Sequence, residues 1–422
     1  MKTHTSETRA EQISQSVDAY KPTMAQLAYE KYPDEIVTFE LKNRRNSQKL
    51  SELVDPELLR NRLARFQAGW TKEEVQFLAS QLRRGKDESL FSDDFLNYLT
   101  DRELPTPDIT TDPQSGELQV SVRGEWPVVT FWETIVMSEI NELYFETYLV
   151  ANDIDPADVY EKADAHLTCK IEILKNRPDI KFADFGTRRR FSYHWHKHVI
   201  GRLVEECPNN LIGTSNVSLA HEFDLMPIGT FAHEMPMVYA ALERARGGNP
   251  MDGHREMLYD WHKLYEDNLS TALTDTFGSE FFFADFSAEQ AASWASLRQD
   301  SGDPIEFGER AIAIYERYGI DPCSKTIVFS DGLDLDTIVK LADHFSGRIN
   351  VIFGWGTSLT NDMGLDVPSL NIVMKAVKVN NESTVKLSDD TGKETGPDEL
   401  VAEYQTDARC AILKKIGAMT LV

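Results

Sequence analysis

The side chains of this sequence with chemistry to offer are a histidine, a run of arginines, a glycine-rich turn and a set of aspartates. His233, in LMPIGTFAHEMP, follows an apolar run directly and is flanked by Glu234. It reads as a nucleophile or acid/base oriented by a carboxylate, the alternative being a satisfied core histidine. Arg188, Arg189 and Arg190 follow FADFGT, and guanidinium groups bind phosphate in a bidentate way; a solvated helix start is the plainer reading. Gly354, Gly356, Thr357 and Ser358, in INVIFGWGTSLTND, offer backbone N–H groups and hydroxyls to an anion, without the Lys of a P-loop or dinucleotide spacing. Asp275 in LTDTFG, Asp300 and Asp303 in RQDSGDP, and Asp331 and Asp334 in SDGLD can hold sugar hydroxyls or Mg²⁺, or stabilise a developing positive charge. Anion-binding loops with carboxylates describe a site for a phosphorylated sugar and a metal. His194, His196 and His198 lie in a helical pattern that puts the first and third on one face and His196 elsewhere. With no third ligand specified, a surface helix is preferred to a metal site.

These residues stand at the ends of short apolar runs that recur from about Phe182 onward: FADFG, NLIGTSN, LMPIGTFAHE, TALTDTFG, SWASLRQD, TIVFSDG, INVIFGWG and LNIVMKAVKV. Helical patterns such as RFSYHWHKHVIGRLVEE, ALERARGGNPMDGHREMLYDWHKLYED, PIEFGERAIAIYERYG and LDLDTIVKLADHFSG lie between them, as parallel crossovers require. This is β/α repetition, open or closed, with polar residues at the strand ends where α/β folds place their sites. The first 140 residues mix helical stretches (ELLRNRLARF, EEVQFLASQL) with alternating ones (TFELKNR, LQVSVRGEW), and the tail beyond Val377 reads as short strands and turns. A central α/β body with the two termini forming a second domain is expected.

With 422 residues, 41% hydrophobic and 27% charged, the chain can bury a full core in two or three domains. Its 44 basic and 69 acidic residues give a net charge of −25, which disfavours nucleic acid and anionic membrane as partners. Cys169, Cys207, Cys323 and Cys410 are far apart and form no Cys-x-x-Cys pair, which suits reduced thiols. The polar start MKTHTSETRAEQISQSVDAY has no apolar export region, so a cytoplasmic protein is expected.

Taken in order, SVDAYKPTM, FELKNR, DFGTRRR, GTSN, PIGTFAHE, LTDTFG, RQDSGDP, SDGLD, FGWGTSLTND, LNIVMKAVKVN and KLSDDTGK resemble the nicotinate phosphoribosyltransferase family over residues 16 to 395. The resemblance implies an α/β fold, an irregular α/β barrel (141–377) with a second α+β domain formed by the N- and C-terminal segments (1–140 and 378–422). It implies formation of nicotinate mononucleotide and pyrophosphate from nicotinate and phosphoribosyl pyrophosphate, as the first step of NAD salvage from nicotinate. ATP is the implied co-substrate, acting through a phosphohistidine, with Mg²⁺ as cofactor.

Residue by residue, it implies phosphohistidine at His233 and pyridine stacking by Phe185 and Tyr20, the latter from the other subunit of a homodimer with shared sites. It places Arg188 on the phosphates, Arg298 on the nicotinate side, Asp300 on the ribose, Thr214 and Ser215 on the substrate, and Asp331, Gly356 and Thr357 around the 5′-phosphate. Trp355 and Met235-Pro236-Met237 depart from the family pattern. Ser215, where nicotinamide phosphoribosyltransferases are expected to carry aspartate, argues for a carboxylate substrate. Quinolinate phosphoribosyltransferase lacks the His-Glu element. An inactive binding protein and a metal-dependent barrel hydrolase using His194 and His196 are the readings from other classes.

Overall fold

A computed structural model describes residues 12–44, 49–365, 370–390 and 392–419. Its strands in chain order are β1 (Ile36–Asn43), β2 (Asp108–Thr111), β3 (Leu118–Glu125), β4 (Phe182–Asp184), β5 (Leu211–Thr214), β6 (Thr271–Leu273), β7 (Ser296–Gln299), β8 (Thr326–Phe329), β9 (Asn350–Trp355), β10 (Ile372–Val379) and β11 (Glu382–Ser383). Six of them, in the order β5-β4-β9-β8-β7-β6, form a parallel sheet. Parallel strands covered on both faces read as short continuous apolar runs. Phe182, Ala183, Ile327, Phe329 and Phe353 are accordingly all buried.

Register brings the strand ends close to one level: Asp184 pairs with Trp355, Phe353 with Phe329, Phe329 with Gln299, and Arg298 with Leu273. The residues just beyond, Phe185, Gly356, Ser330 and Asp300, therefore open on the same side. Crossover helices Tyr193–Glu206, Pro304–Arg317 and Leu335–Phe345 are each started by a side-chain cap, Ser192, Asp303 and Asp334. Losing such a cap costs about 1 kcal/mol. Asp303 thus accepts from the Ile305 and Glu306 N–H groups as a helix cap, in place of the expected sugar or metal role.

LMPIGTFAHE is not a strand. It crosses the gap between β5 and β6 as irregular chain, touching the ladder at one bridge, Thr214 to Pro227, and ends at His233, which caps the helix Glu234–Ala245. The long helical pattern after it is two helices, because Gly247 turns the chain at φ +82° and Pro250 opens the next helix, Pro250–Tyr265. The result is an irregular α/β barrel.

The second sheet is antiparallel, β11-β10-β1-β3-β2, with β1 between segments from opposite ends of the chain: Val37 pairs with Gly124 and with Val379. LNIVMKAVKV therefore belongs to this sheet and not to the parallel one. β10 begins at Ile372, ahead of residue 378, and the helix Trp132–Ala151 runs through residue 140. That helix and Glu234–Ala245 both pack on β10, joining the two sheets. Trp126, Trp132, Trp261 and Trp355 are fully buried, and truncating one to Ala would cost about 3–5 kcal/mol. The four cysteines are free, and no described helix is long and apolar enough to cross a membrane.

Candidate active site

The strand ends open into a cleft of about 690 Å³, within the usual range of about 300–1,000 Å³ for small-ligand sites. Phe185, Arg188, Arg189, His233, Arg298, Asp300, Asp331, Asp334, Gly354, Gly356, Thr357 and Ser358 line it together. Two glycines let the backbone close in: a Cβ on Gly354 would meet Ser330 at 3.2 Å and the Phe185 ring at 3.3 Å, and one on Gly356 would meet the Phe185 carbonyl oxygen at 3.1 Å. Seven cations (Arg44, Arg188, Arg189, Arg298, Lys375, Lys386, Lys393) face five carboxylates (Glu133, Asp300, Asp331, Asp334, Asp362) across the cleft. In a chain of charge −25 this is a local reversal of sign, suited to a polyanion.

His233 is 4% exposed. Its Nδ1 lies 2.9 Å from Thr276 Oγ1; its Nε2 lies 3.0 Å from Lys386 Nζ and 3.1 Å from Asp300 Oδ2. Burial, and then the Lys386 charge, lower its pKa to about 4, so the ring is neutral at pH 7. An ammonium only donates and a carboxylate only accepts. Nε2 therefore finds a partner in either state, Lys386 when bare and Asp300 when protonated. Glu234 does not orient this ring, contrary to expectation: it accepts from Lys21 Nζ, Thr130 Oγ1 and Trp126 Nε1 at 2.6, 3.0 and 2.6 Å.

Burial alone would raise the Asp300 carboxyl, but Arg298, at 2.7 Å, leads the groups that hold it well below the usual range. Ser330 Oγ donates to the same oxygen at 2.7 Å. A fixed, ionised carboxylate is thereby aimed at the cleft. Buried Asp275 stands behind His233, 3.8 Å from Nε2 and 3.3 Å from Lys386. His233, Asp275 and Asp300 are grouped closely enough to hold a metal ion, yet the Lys386 ammonium already bridges two of them.

At the other end, the Arg298 guanidinium lies 5.9 Å from the Phe185 ring centre and that of Arg188 lies 5.8 Å from the ring centre of Tyr20. Tyr20 is buried in its own chain and does not line the cleft: Ala19 N–H donates to Ser215 O at 2.5 Å and Asp18 bridges to Asn216. Its hydroxyl is buried with no hydrogen-bond partner among the described residues. Ser215 is not a free wall of the pyridine site either. It is fully buried and donates to Asp18 Oδ1 at 2.6 Å, so a carboxylate stands at this position, with Arg188 Nε 3.6 Å from its other oxygen. Ser215 therefore does not line the cleft and does not choose between a carboxylate and an amide substrate. Thr214 donates to Asp184 Oδ2 at 2.5 Å inside the core and does not line the cleft.

His196 is buried against that same Asp184 oxygen at 2.7 Å, while His194 and His198 are exposed and His198 pairs with Asp164. No metal centre is built from them, and the hydrolase reading falls. Arg190 is also structural, buried against Glu142 at 2.7 Å. Burial raises the Asp331 carboxyl, which Lys393, at 3.5 Å, partly offsets.

Sequence reasoning missed Lys386, Lys375, Glu133 and Arg44. The signal for Lys375 was present, a charge flanked by Met374 and Ala376 in the apolar strand IVMKAVKV, whose other lysine is Lys378. Burial lowers the Lys375 ammonium to about 8, with Glu133 acting in the opposite direction. It is a cation below pH 8 and neutral above. Affinity for inorganic pyrophosphate should therefore fall by about three- to tenfold as pH passes 8, as one charge is lost from the cleft. Calorimetric titration of Lys375→Arg, which stays charged, should show that fall abolished; a fall of equal size in the variant would remove Lys375 from the anion site.

Two family models match the sequence: the nicotinate phosphoribosyltransferase (NAPRTase) family over residues 180–411 and the NAPRTase N-terminal domain over residues 16–141. Among solved structures, the chain is similar to nicotinate phosphoribosyltransferase from Porphyromonas gingivalis, at 31% identity and TM-score 0.83 over 94% of this chain and 99% of that one. It is similar also to the Vibrio cholerae nicotinate phosphoribosyltransferase, at 30% identity and TM-score 0.83 over 98% of each chain. With the arginine-lined cleft at the barrel mouth and matches spanning both domains, the chain belongs to the nicotinate phosphoribosyltransferase family.

Proposed function

We propose that this protein joins nicotinate to phosphoribosyl pyrophosphate, giving nicotinate mononucleotide, an NAD precursor, and pyrophosphate, and that ATP hydrolysis is coupled to the reaction through a phosphohistidine at His233. The observation that carries this reading is the neutral His233 Nε2, held between Lys386 and Asp300 at the head of a cation-lined cleft. Attack of Nε2 on the γ-phosphorus of ATP forms the N–P bond as the bond to the bridging oxygen breaks and ADP leaves. The proton stays on Nδ1, donated to Thr276 Oγ1, and Lys386 exchanges its hydrogen bond to Nε2 for one to the new phosphoryl oxygens. In the glycosyl step, Phe185 presents an aromatic face to the pyridine, and Arg298 and Arg188, the latter backed by the buried Tyr20 ring, balance its carboxylate. Asp300 stabilises the cationic C1′ while Arg188, Arg189 and Lys375 hold the departing pyrophosphate.

Mg²⁺ takes oxygen ligands in octahedral geometry, so the imidazole-containing group around Lys386 does not suit it, whereas the cleft carboxylates Asp300 and Asp331 with ligand phosphates do. Bound there, it would neutralise pyrophosphate charge. The free cysteines support a cytoplasmic setting.

We infer further that the site is built from one chain, a reading supported by the burial of Tyr20 among residues of its own chain. Mixed Tyr20→Ala and Asp300→Ala proteins, both poorly active, should then show no recovery under conditions of proven subunit exchange; recovery would restore the shared-site homodimer. The test of substrate identity is an assay of nicotinate against nicotinamide, each with phosphoribosyl pyrophosphate, with and without ATP. Nicotinate should be the substrate and ATP should raise its use. Equal or better use of nicotinamide would contradict the assignment.

A further inference from the structure

Lys21 is 0% exposed, and all three of its ammonium hydrogens have acceptors: Glu133 Oε2 at 2.6 Å, Glu234 Oε2 at 2.6 Å and Thr130 Oγ1 at 3.2 Å. Each contact leads to a different part of the site. Lys21 directly follows Tyr20; Glu234 directly follows His233; and the other oxygen of Glu133 lies 3.3 Å from Arg188 Nη1. Lys21 and Arg188 balance Glu133 and Glu234 at its centre, with buried Asp18 on the far side of Arg188 at 3.6 Å. Removing one member leaves an uncompensated charge in the interior. Lys21 touches neither the cleft nor any reacting atom, so its place is that of a fastener between the pyridine end and the phosphorylatable histidine.

We infer that Lys21 is a positioning residue that links occupancy of the pyridine end to phosphoryl transfer at His233. This rests on the ATP-coupled reading above. An anion arriving at Arg188 competes with Glu133 for the guanidinium; Glu133 then leans on Lys21, and Lys21 in turn sets the tension on Glu234 and the start of the His233 helix. The path contains no flexible loop: Lys21, Glu133 and Glu234 all lie on helices and are at most 4% exposed.

The test is ATP hydrolysis by full-length protein with and without nicotinate and phosphoribosyl pyrophosphate, together with labelling of His233 from γ-labelled ATP. Lys21→Met orphans a buried carboxylate and is expected to lower the melting temperature. Lys21→Met/Glu234→Gln removes both charges and should regain stability. In the folded double variant, labelling should persist while the stimulation of hydrolysis by the two substrates falls by about five- to tenfold. Glu234→Gln alone should keep part of that stimulation, since Lys21 still reaches Glu133. If the double variant is as stable as wild type and responds to substrates as wild type does, Lys21 serves charge balance only and the inference is wrong. If wild-type protein itself hydrolyses no ATP, the coupled reading fails first and takes this inference with it.

Discussion

Replacing His233 by Asn abolishes acid-labile labelling from γ-labelled ATP and the ATP-dependent part of turnover, the largest effect expected of any single substitution. Asn preserves part of the shape and one hydrogen bond, to Thr276 or to Lys386, but has no nucleophilic nitrogen. Slow transfer from phosphoribosyl pyrophosphate should survive, because Arg298, Asp300 and the arginines of the cleft remain in place. The pH dependence of labelling supplies a second check. With a folded-state pKa of about 4, the ring of wild-type protein is deprotonated throughout the neutral range, so labelling should be level there and fall only as pH drops toward 4. Labelling that persists in His233→Asn would transfer the phosphoryl acceptor to another residue.

The second large effect is expected at Lys386. Lys386→Met keeps the length of the side chain but removes the donor that faces Nε2 and the counter-charge beside Asp275. Phosphoryl oxygens on His233 would then lack their nearest ammonium, and loss of one preorganised donor costs about 10²–10³-fold in rate. The loss should fall on kcat of the ATP-coupled reaction and leave KM for nicotinate nearly unchanged, since the pyridine end is proposed at Phe185 and Arg298. Melting temperature should fall, because fully buried Asp275 loses its counter-charge. A raised KM for nicotinate with unchanged kcat would place Lys386 in substrate binding instead.

The parts of this site that share a local sequence context were legible, and those made by distant pairing were not. Apolar runs ending in FGTRRR, QDSGD, SDGLD and GWGTS announce strand ends, and register alone then gathers Arg188, Asp300, Asp331 and Gly356. His233 could be picked out by its chemistry although its run is no strand, because a loop ending at the barrel mouth serves as well as a strand would. Lys386 could not be: it stands 153 residues from His233 in the chain, on a tail that folds back over the barrel mouth. The surroundings of Tyr20 and Ser215 were hidden for the same reason, since their contacts, Arg188 for one and Asp18 for the other, depend on where the amino-terminal segment lies. The strand IVMKAVKV showed its type by composition but not its sheet; antiparallel pairing with β1 is set by a partner more than 300 residues away in sequence.

Phosphoryl transfer through His233 is proposed to drive nucleotide formation, and the direct measurement is the yield of nicotinate mononucleotide at equilibrium from nicotinate and phosphoribosyl pyrophosphate in the presence of excess pyrophosphate, with and without ATP. In wild-type protein ATP should raise that yield, with ADP and phosphate accumulating in step with product, and in His233→Asn the yield should be the same with and without it. An ATP-independent yield in wild type, or an ATP-driven one in His233→Asn, would contradict coupling through a phosphohistidine at His233.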